Sequence, residues 1–339
     1  MTVPYDKHLG FYLSKPFWAI EEFDIDNNIS MFTDLMSEEV FQHLNKEYSL
    51  KICRDGMFLL KINEISKKIV NELNVDFLEQ INAWSSYLQY ANTLVLLFES
   101  AFIEEQKLAY FEIQELTNKD AFSVSFENNE CKGYTIASLS TAEKFQNARY
   151  LSSLPFGGSH PSTNPIFTGR PVVLKSTLDK LVGNFDLIYR NKRLISLFSQ
   201  LIKSIGEFKI ANFDTALIIS WFVIESILQD KWTSWINSKN ISGINPKRIN
   251  AERKGKLEGR DYPLSVKLNI LELNDLLPNE IFQNLDRIRG YRNKIVHRDS
   301  KFKCSLENAK EAINATNDLI IQHFNFKITL NLGLSISGI

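Results

Sequence analysis

Residues 215–232 read TALIISWFVIESILQDKW. The run is apolar on nearly every side of a helical wheel and is too long for one strand, so it predicts a buried central helix. A helix hidden all round needs other helices about it, and the flanking sequence supplies them. Apolar spacing predicts helices at about 174–189, 191–207, 213–237, 264–275, 279–298 and 305–324. The expectation for 171–326 is therefore a compact helical bundle. Within it, residues 238–262 (SKNISGINPKRINAERKGKLEGRDY) are polar and basic and read as a loop.

The first half has a different texture. Helical spacing runs over about 37–46 and 58–73, followed by a long apolar helix at about 75–105. Residues 108–116 then read as a strand. AFSVSFE alternates, with Phe122, Val124 and Phe126 on one face, and 133–138 suggests a third strand. A helix at about 141–151 leads into FGGSHPSTNPIFTGRP (156–171), whose Gly, Pro, Ser and Asn mark a linker. The tail, residues 327–339, carries Ile328, Leu330, Leu332, Leu334 and Ile336 in alternation. A lone strand needs a partner, so 328–336 is expected to pair with the strands of 108–138. The fold class that results is mainly α: an N-terminal helical domain (1–170) with a small antiparallel sheet, then a C-terminal bundle.

Composition narrows the function classes. The chain has 339 residues, 44% of them apolar, and a net charge of −1, which excludes a histone-like polycation and an acidic disordered chain. Its apolar stretches 92–103 and 216–228 are too short to span a bilayer, and each holds a glutamate, Glu99 and Glu225. MTVPYDKHLG does not read as a signal peptide. Cys53, Cys131 and Cys304 are far apart and include no C-x-x-C, so a disulfide framework and a cysteine zinc site are not expected, and a reducing cytoplasm fits. The balanced total hides an asymmetry. Residues 1–180 hold 16 Lys+Arg against 24 Asp+Glu, a net of −8, and the remainder is +7. A basic C-terminal half suggests a polyanionic partner.

Residues 286–300, DRIRGYRNKIVHRDS, concentrate the chemistry. Ile281, Leu285, Ile288, Arg292 and Ile295 fall on one stripe of the incoming helix, so Arg292 sits at a predicted core position. An arginine there stays charged and needs an anionic partner. Glu225, in the middle of the central helix, is the candidate, since a buried carboxylate without a partner is costly. A pair that only fixes packing is the alternative to a functional one. Residues 287–303 carry a net of +6, with Arg289, Lys294 and Arg298 beside the motif; residues 247–260 carry +4, including Arg253 and Lys254. Such patches attract phosphate backbones without reading sequence, so these five residues are candidate RNA contacts.

YRNKIVHRD, at a helix end and followed by one more helix, resembles the R-x4-H signature of the HEPN superfamily, and SWFVIESILQDKW resembles the glutamate-bearing apolar helix of its larger, ApeA-like domains. The resemblance covers roughly 175–325. It implies a dimerising helical bundle whose paired motifs form a metal-independent endoribonuclease, of the kind found in phage defence and toxin–antitoxin systems. Carried over, Arg292, Asn293 and His297 are the catalytic residues and Glu225 a supporting one, with no cofactor and no metal. The tyrosine that one subgroup carries two positions after the histidine is Asp299 here, so that subgroup's control by modification is not implied. The N-terminal part would sense a trigger or a regulatory partner. The competing reading is a non-catalytic HEPN-like scaffold that dimerises and binds RNA in a defence complex.

The chemistry suits the residue types. RNA cleaves itself when its 2′-hydroxyl attacks the adjacent phosphate, which calls for a base, an acid and positive charge on the phosphorane. Histidine transfers protons near neutral pH, and the arginine fork holds two phosphate oxygens. One geometric difficulty stands. At about 100° per residue, Arg292 and His297 lie roughly 140° apart, while Asn293 and His297 share a face. A distorted helix, a long reach by the arginine, or a second subunit would each resolve it.

Overall fold

The computed structural model describes residues 6–22, 32–70, 77–127, 130–134, 169–240, 247–259, 261–297 and 301–334. The chain is mainly helical with a small antiparallel sheet, and divides into two compact units. The first comprises Met1–Ile202 with Thr329–Asn331, the second Lys203–Ile328 with Leu332–Ile339. The boundary thus falls later than residue 170, and the helix expected at 174–189 belongs to the first unit. Among the described residues no helix is long and apolar enough to cross a membrane.

Six antiparallel strands form the sheet of the first unit: β1 (Asp6–Phe11), β3 (Glu39–Leu44), β4 (Tyr48–Cys53), β5 (Phe58–Ile62), β6 (Phe122–Glu127) and β7 (Glu130–Tyr134), in the order β3-β4-β5-β1-β6-β7. A short parallel pair, β2 (Trp18–Ala19) with β8 (Val172–Val173), stands apart. The β4–β5 hairpin turns through Arg54, Asp55 and Gly56, the last at φ +87°, which a glycine adopts without strain. One face of the sheet is covered by the helix α3 (Phe77–Gln106), which follows the short helices α1 (Phe32–Ser37) and α2 (Asn63–Val70). The join is aromatic. Phe98 meets Phe58 at 5.5 Å, Phe17 at 5.4 Å and Phe111 at 5.0 Å between ring centroids, all with buried rings. The helix α4 (Lys175–Ile188) is tied to the β3–β4 hairpin through Asp186, which accepts from Tyr48 Oη at 2.7 Å and Asn45 Nδ2 at 3.1 Å, with His43 Nε2 3.2 Å away. Burial, and then this carboxylate, push the Tyr48 phenol well above its usual pKa.

Several expectations for this half are corrected. Residues 39–44 form a strand, not part of a helix over 37–46, because they pair with β4. The helix expected at 58–73 begins only at Asn63; FLLKI is β5, a short apolar run whose periodicity fits either structure until a neighbouring strand captures it. Residues 108–116 make no strand. Their alternation does track burial, with Phe111, Ile113 and Leu116 inside, but Asn92 takes both backbone groups of Leu116 instead of a strand doing so. The tail also makes no strand over 325–334. Thr329 reaches the first unit, but through α3: its N–H donates to Ser100 Oγ and its hydroxyl to Glu104. The expected helix at 141–151 lies outside the described residues, as do most of the 156–171 linker and residues 135–138 and 335–339.

The helices after 170 are where the periodicity places them: α4, α5 (Lys192–Lys209), α6 (Phe213–Ser238), α8 (Leu264–Leu273), α9 (Asn279–Val296) and α10 (Leu306–Phe324). The polar segment adds one more, α7 (Ala251–Glu258), begun by the Asn250 side chain accepting from the Arg253 N–H. In the second unit α6 is the central helix, with Trp221 and Trp232 fully buried. A polar seam crosses its core. Ser204 Oγ donates to the Ala216 carbonyl and meets Ser220 Oγ, both at 2.7 Å, and Thr316 Oγ1 donates to the Ser220 carbonyl at 3.3 Å.

A sharp steric test lies at Gly10, opposite Phe122 in the β1–β6 register. A Cβ there would stand 2.5 Å from the buried Phe122 ring and 2.9 Å from Val124 Cγ2. Gly10→Ala is expected to cost about 1–3 kcal/mol by overpacking, read as a lower urea midpoint at unchanged slope. An unchanged midpoint would mean that β1 does not hold this register.

Candidate active site

The helix α9 starts after Pro278, with Glu280 in its first turn and Lys294 in its last, an arrangement that suits the helix dipole. Of its expected core stripe only Leu285 and Ile288 are buried; Ile281, Arg292 and Ile295 are half-buried. The helix ends at Val296. His297 is its C-cap, exposed, with its N–H still bonded to the Asn293 carbonyl at 2.9 Å. Asn293 and His297 are thus one turn apart at the helix end. Arg292 Nη1 donates to Asn293 Oδ1 at 3.1 Å, so the guanidinium leans round the helix towards the turn that carries His297. The arginine reaches Asn293, one turn before His297, and makes no bond to the histidine itself.

The expected Arg292–Glu225 ion pair is not formed. Glu225 Oε1 accepts instead from Trp221 Nε1 at 2.7 Å, one turn earlier on its own helix. The register of the bundle explains this. Thr316 to Ser220 and Cys304 to Phe213 run α10 parallel to α6, and the Arg287–Glu311 ion pair together with the Tyr291–Phe302 stack runs α9 antiparallel to α10. Arg292 therefore stands near the N-terminal end of α6, and at 1.5 Å per residue Glu225 lies on the order of 15 Å or more farther along. Glu225 is not part of this end.

The neighbouring cations divide into two groups. Arg289 donates to Asp286 at 2.6 and 3.0 Å and Arg287 is held by Glu311, so both are already neutralised. Arg292, Lys294 and Lys303 have no carboxylate within ion-pair distance among the described residues. Lys294 instead lies over the Phe302 ring at 5.3 Å, and Phe302 stacks on Tyr291 at 5.8 Å, which sets Phe302 against α9. Arg298 and Asp299 lie outside the described residues. Arg253 and Lys254 are on α7, away from the motif, and Lys254 pairs with Glu258 at 3.8 Å.

The helix end therefore presents donors: guanidinium N–H groups, the Asn293 amide, and an exposed imidazole. With no carboxylate at Arg292 among the described residues, this arrangement favours an anion. Among the described residues no group of three His, Cys, Asp or Glu is placed to hold a metal ion. Sequence reasoning missed the Trp221–Glu225 bond, although an i, i+4 spacing was there to read. It also missed Phe302, whose role depends on a contact with α9 that no local pattern encodes. In the first unit it missed a cavity of about 360 Å³ lined by Ile62, Glu64, Asn82, Ser86, Tyr90 and Lys192, among others.

The chain matches no protein-family model, no curated protein and no solved structure. Cys304, near the motif in sequence, is buried, and burial followed by the nearby Asp214 charge raises its thiol from 9.0 to about 12. The folded chain therefore holds this proton more tightly than the unfolded chain. The resulting stability is complete below about pH 9 and fades as pH rises towards 12. The stability difference between wild type and Cys304→Ala, from urea unfolding, is expected to shrink between pH 9 and 11; a constant difference would contradict the burial.

Proposed function

We propose that this protein is a metal-independent endoribonuclease of the HEPN type, acting in the cytoplasm in phage defence or a toxin–antitoxin-like system, with Arg292, Asn293 and His297 as its catalytic residues. One observation carries the reading: a guanidinium with no carboxylate partner among the described residues is turned towards the helical turn that bears an exposed histidine. The reaction such a site suits is transesterification. The 2′-oxygen bonds to phosphorus as its proton passes to a base, the bond from phosphorus to the 5′-oxygen breaks, and that oxygen takes a proton from an acid. Arg292 and the Asn293 amide stabilise charge on the phosphorane. Two proton transfers with one motif histidine per chain fit a homodimer in which each motif supplies one. Products then carry a 2′,3′-cyclic phosphate and a 5′-hydroxyl.

His297→Ala is expected to lower RNA cleavage by about 10²–10⁴-fold with unchanged thermal unfolding, since the side chain is exposed. Arg292→Ala should lose activity too, with a stability change of only about 0.5 kcal/mol, because its bond is to the adjacent Asn293 and not to a buried glutamate. Cleavage should survive EDTA, and a deoxyribose at the scissile position should block it. A folded His297→Ala protein that cleaves like wild type would leave only the scaffold reading.

A further inference from the structure

A second group of cations occupies the other end of α6. Asn240 clasps Ile249 through two hydrogen bonds, Nδ2 to the carbonyl at 3.0 Å and Oδ1 from the N–H at 2.8 Å. The clasp brings Lys239, next to Asn240, close to Arg248, next to Ile249. Arg253 joins them, its guanidinium donating to the Arg248 carbonyl at 3.2 Å. Lys239 is held over the Trp235 ring at 4.9 Å. Lys247 is exposed beside them. None of these four cations has a carboxylate within ion-pair distance among the described residues. Their neighbours differ: Lys256 pairs with Glu252 at 2.8 Å and Lys254 with Glu258. The basic segment thus sorts into neutralised lysines and an unneutralised cluster at the clasp.

The two unneutralised regions lie at opposite ends of one rigid element. Trp232 Nε1 donates to the Leu257 carbonyl, fixing α7 at the C-terminal end of α6, while Cys304 lies against Phe213 at its start. Nineteen residues at 1.5 Å each separate these points by about 28 Å. We propose that Lys239, Lys247, Arg248 and Arg253 form an exosite for the backbone of single-stranded RNA whose scissile phosphate is at Arg292, an inference that rests on the nuclease reading. With one phosphate every ~3.4 Å of stacked strand, a bound RNA spans about eight nucleotides to reach both regions. Shorter RNA engages the motif alone.

The test uses full-length His297→Ala protein, so that RNA is bound but not cut, and fluorescence anisotropy with labelled, unstructured 4- and 20-nucleotide RNAs. Adding Lys239→Gln, Arg248→Gln and Arg253→Gln should weaken binding of the 20-mer by about tenfold and flatten its log–log salt slope by about two, at ~0.7 per phosphate contact. Binding of the 4-mer should not change. Swapping the same residues as Lys239→Arg, Arg248→Lys and Arg253→Lys should restore 20-mer affinity, since the contact is charge alone. Equal effects on both lengths, no effect on either, or no rescue by the charge-preserving variant would overturn the exosite. Cleavage by the otherwise wild-type chain separates the two ideas. Patch-dependent binding with no cleavage would sink the nuclease and leave the surface standing; cleavage with patch-independent binding would sink the exosite alone.

Discussion

A helix apolar on nearly every side needs other helices packed about it in water, and α6, with Phe222 its one large apolar side chain left exposed, imposes that requirement on the second unit. Its two buried tryptophans set the spacing of the helices about it, and the Ser204–Ser220–Thr316 seam sets their register. The seam works because small hydroxyl side chains let helices approach closely while every buried polar group finds a partner. Slipping α10 along α6 by one turn would separate Thr316 from the Ser220 carbonyl and Cys304 from Phe213. The position of α9, which is held against α10, follows from that register.

The charge pattern of the surface follows in turn. A cation matters to an anionic ligand only if the protein has not already neutralised it. Register and local spacing together decide which are neutralised: Glu311 meets Arg287 across two helices, while Asp286 meets Arg289, and Trp221 takes the Glu225 carboxylate, each within one turn of its own helix. Among the described residues, the cations left unneutralised include Arg292, Lys294 and Lys303 at one end of α6 and the clasp cluster at the other. A count of +6 and +4 in two sequence windows therefore overstates the free charge and hides its distribution.

The first unit depends on a different constraint. Its sheet gathers strands from residues 6 to 134, and the aromatic layer of Phe17, Phe58, Phe98 and Phe111 covers one face of it. Asp186 then fastens α4 to the β3–β4 hairpin with two donors and a neighbouring histidine. Leaving the Tyr48 hydroxyl without that carboxylate would strand a buried polar group, a cost of about 1–3 kcal/mol.

Local periodicity was enough to find every helix expected after residue 170, because a helix closes its hydrogen bonds within four residues and its apolar stripe repeats within the same window. It was enough as well to locate the Arg292–His297 motif and to put Asn293 and His297 on one turn. Strands were another matter. Residues 39–44 and 58–62 became β-structure because 48–53 folds between them as a shared hairpin partner and the distant 6–11 pairs with 58–62, while 108–116 and the described part of the tail, to 334, alternate like strands and form none. The same holds for charge. Arg292 and Glu225 were each conspicuous in the sequence, yet an ion pair depends on separation in space, and helix register placed them far apart along the bundle. Pairs within one turn, such as Arg289 with Asp286 and Lys256 with Glu252, are legible from spacing; the Arg287–Glu311 pair, and how far apart the free cations lie, are properties of the packed helices, because separation in space is fixed by tertiary contact and not by position in the chain.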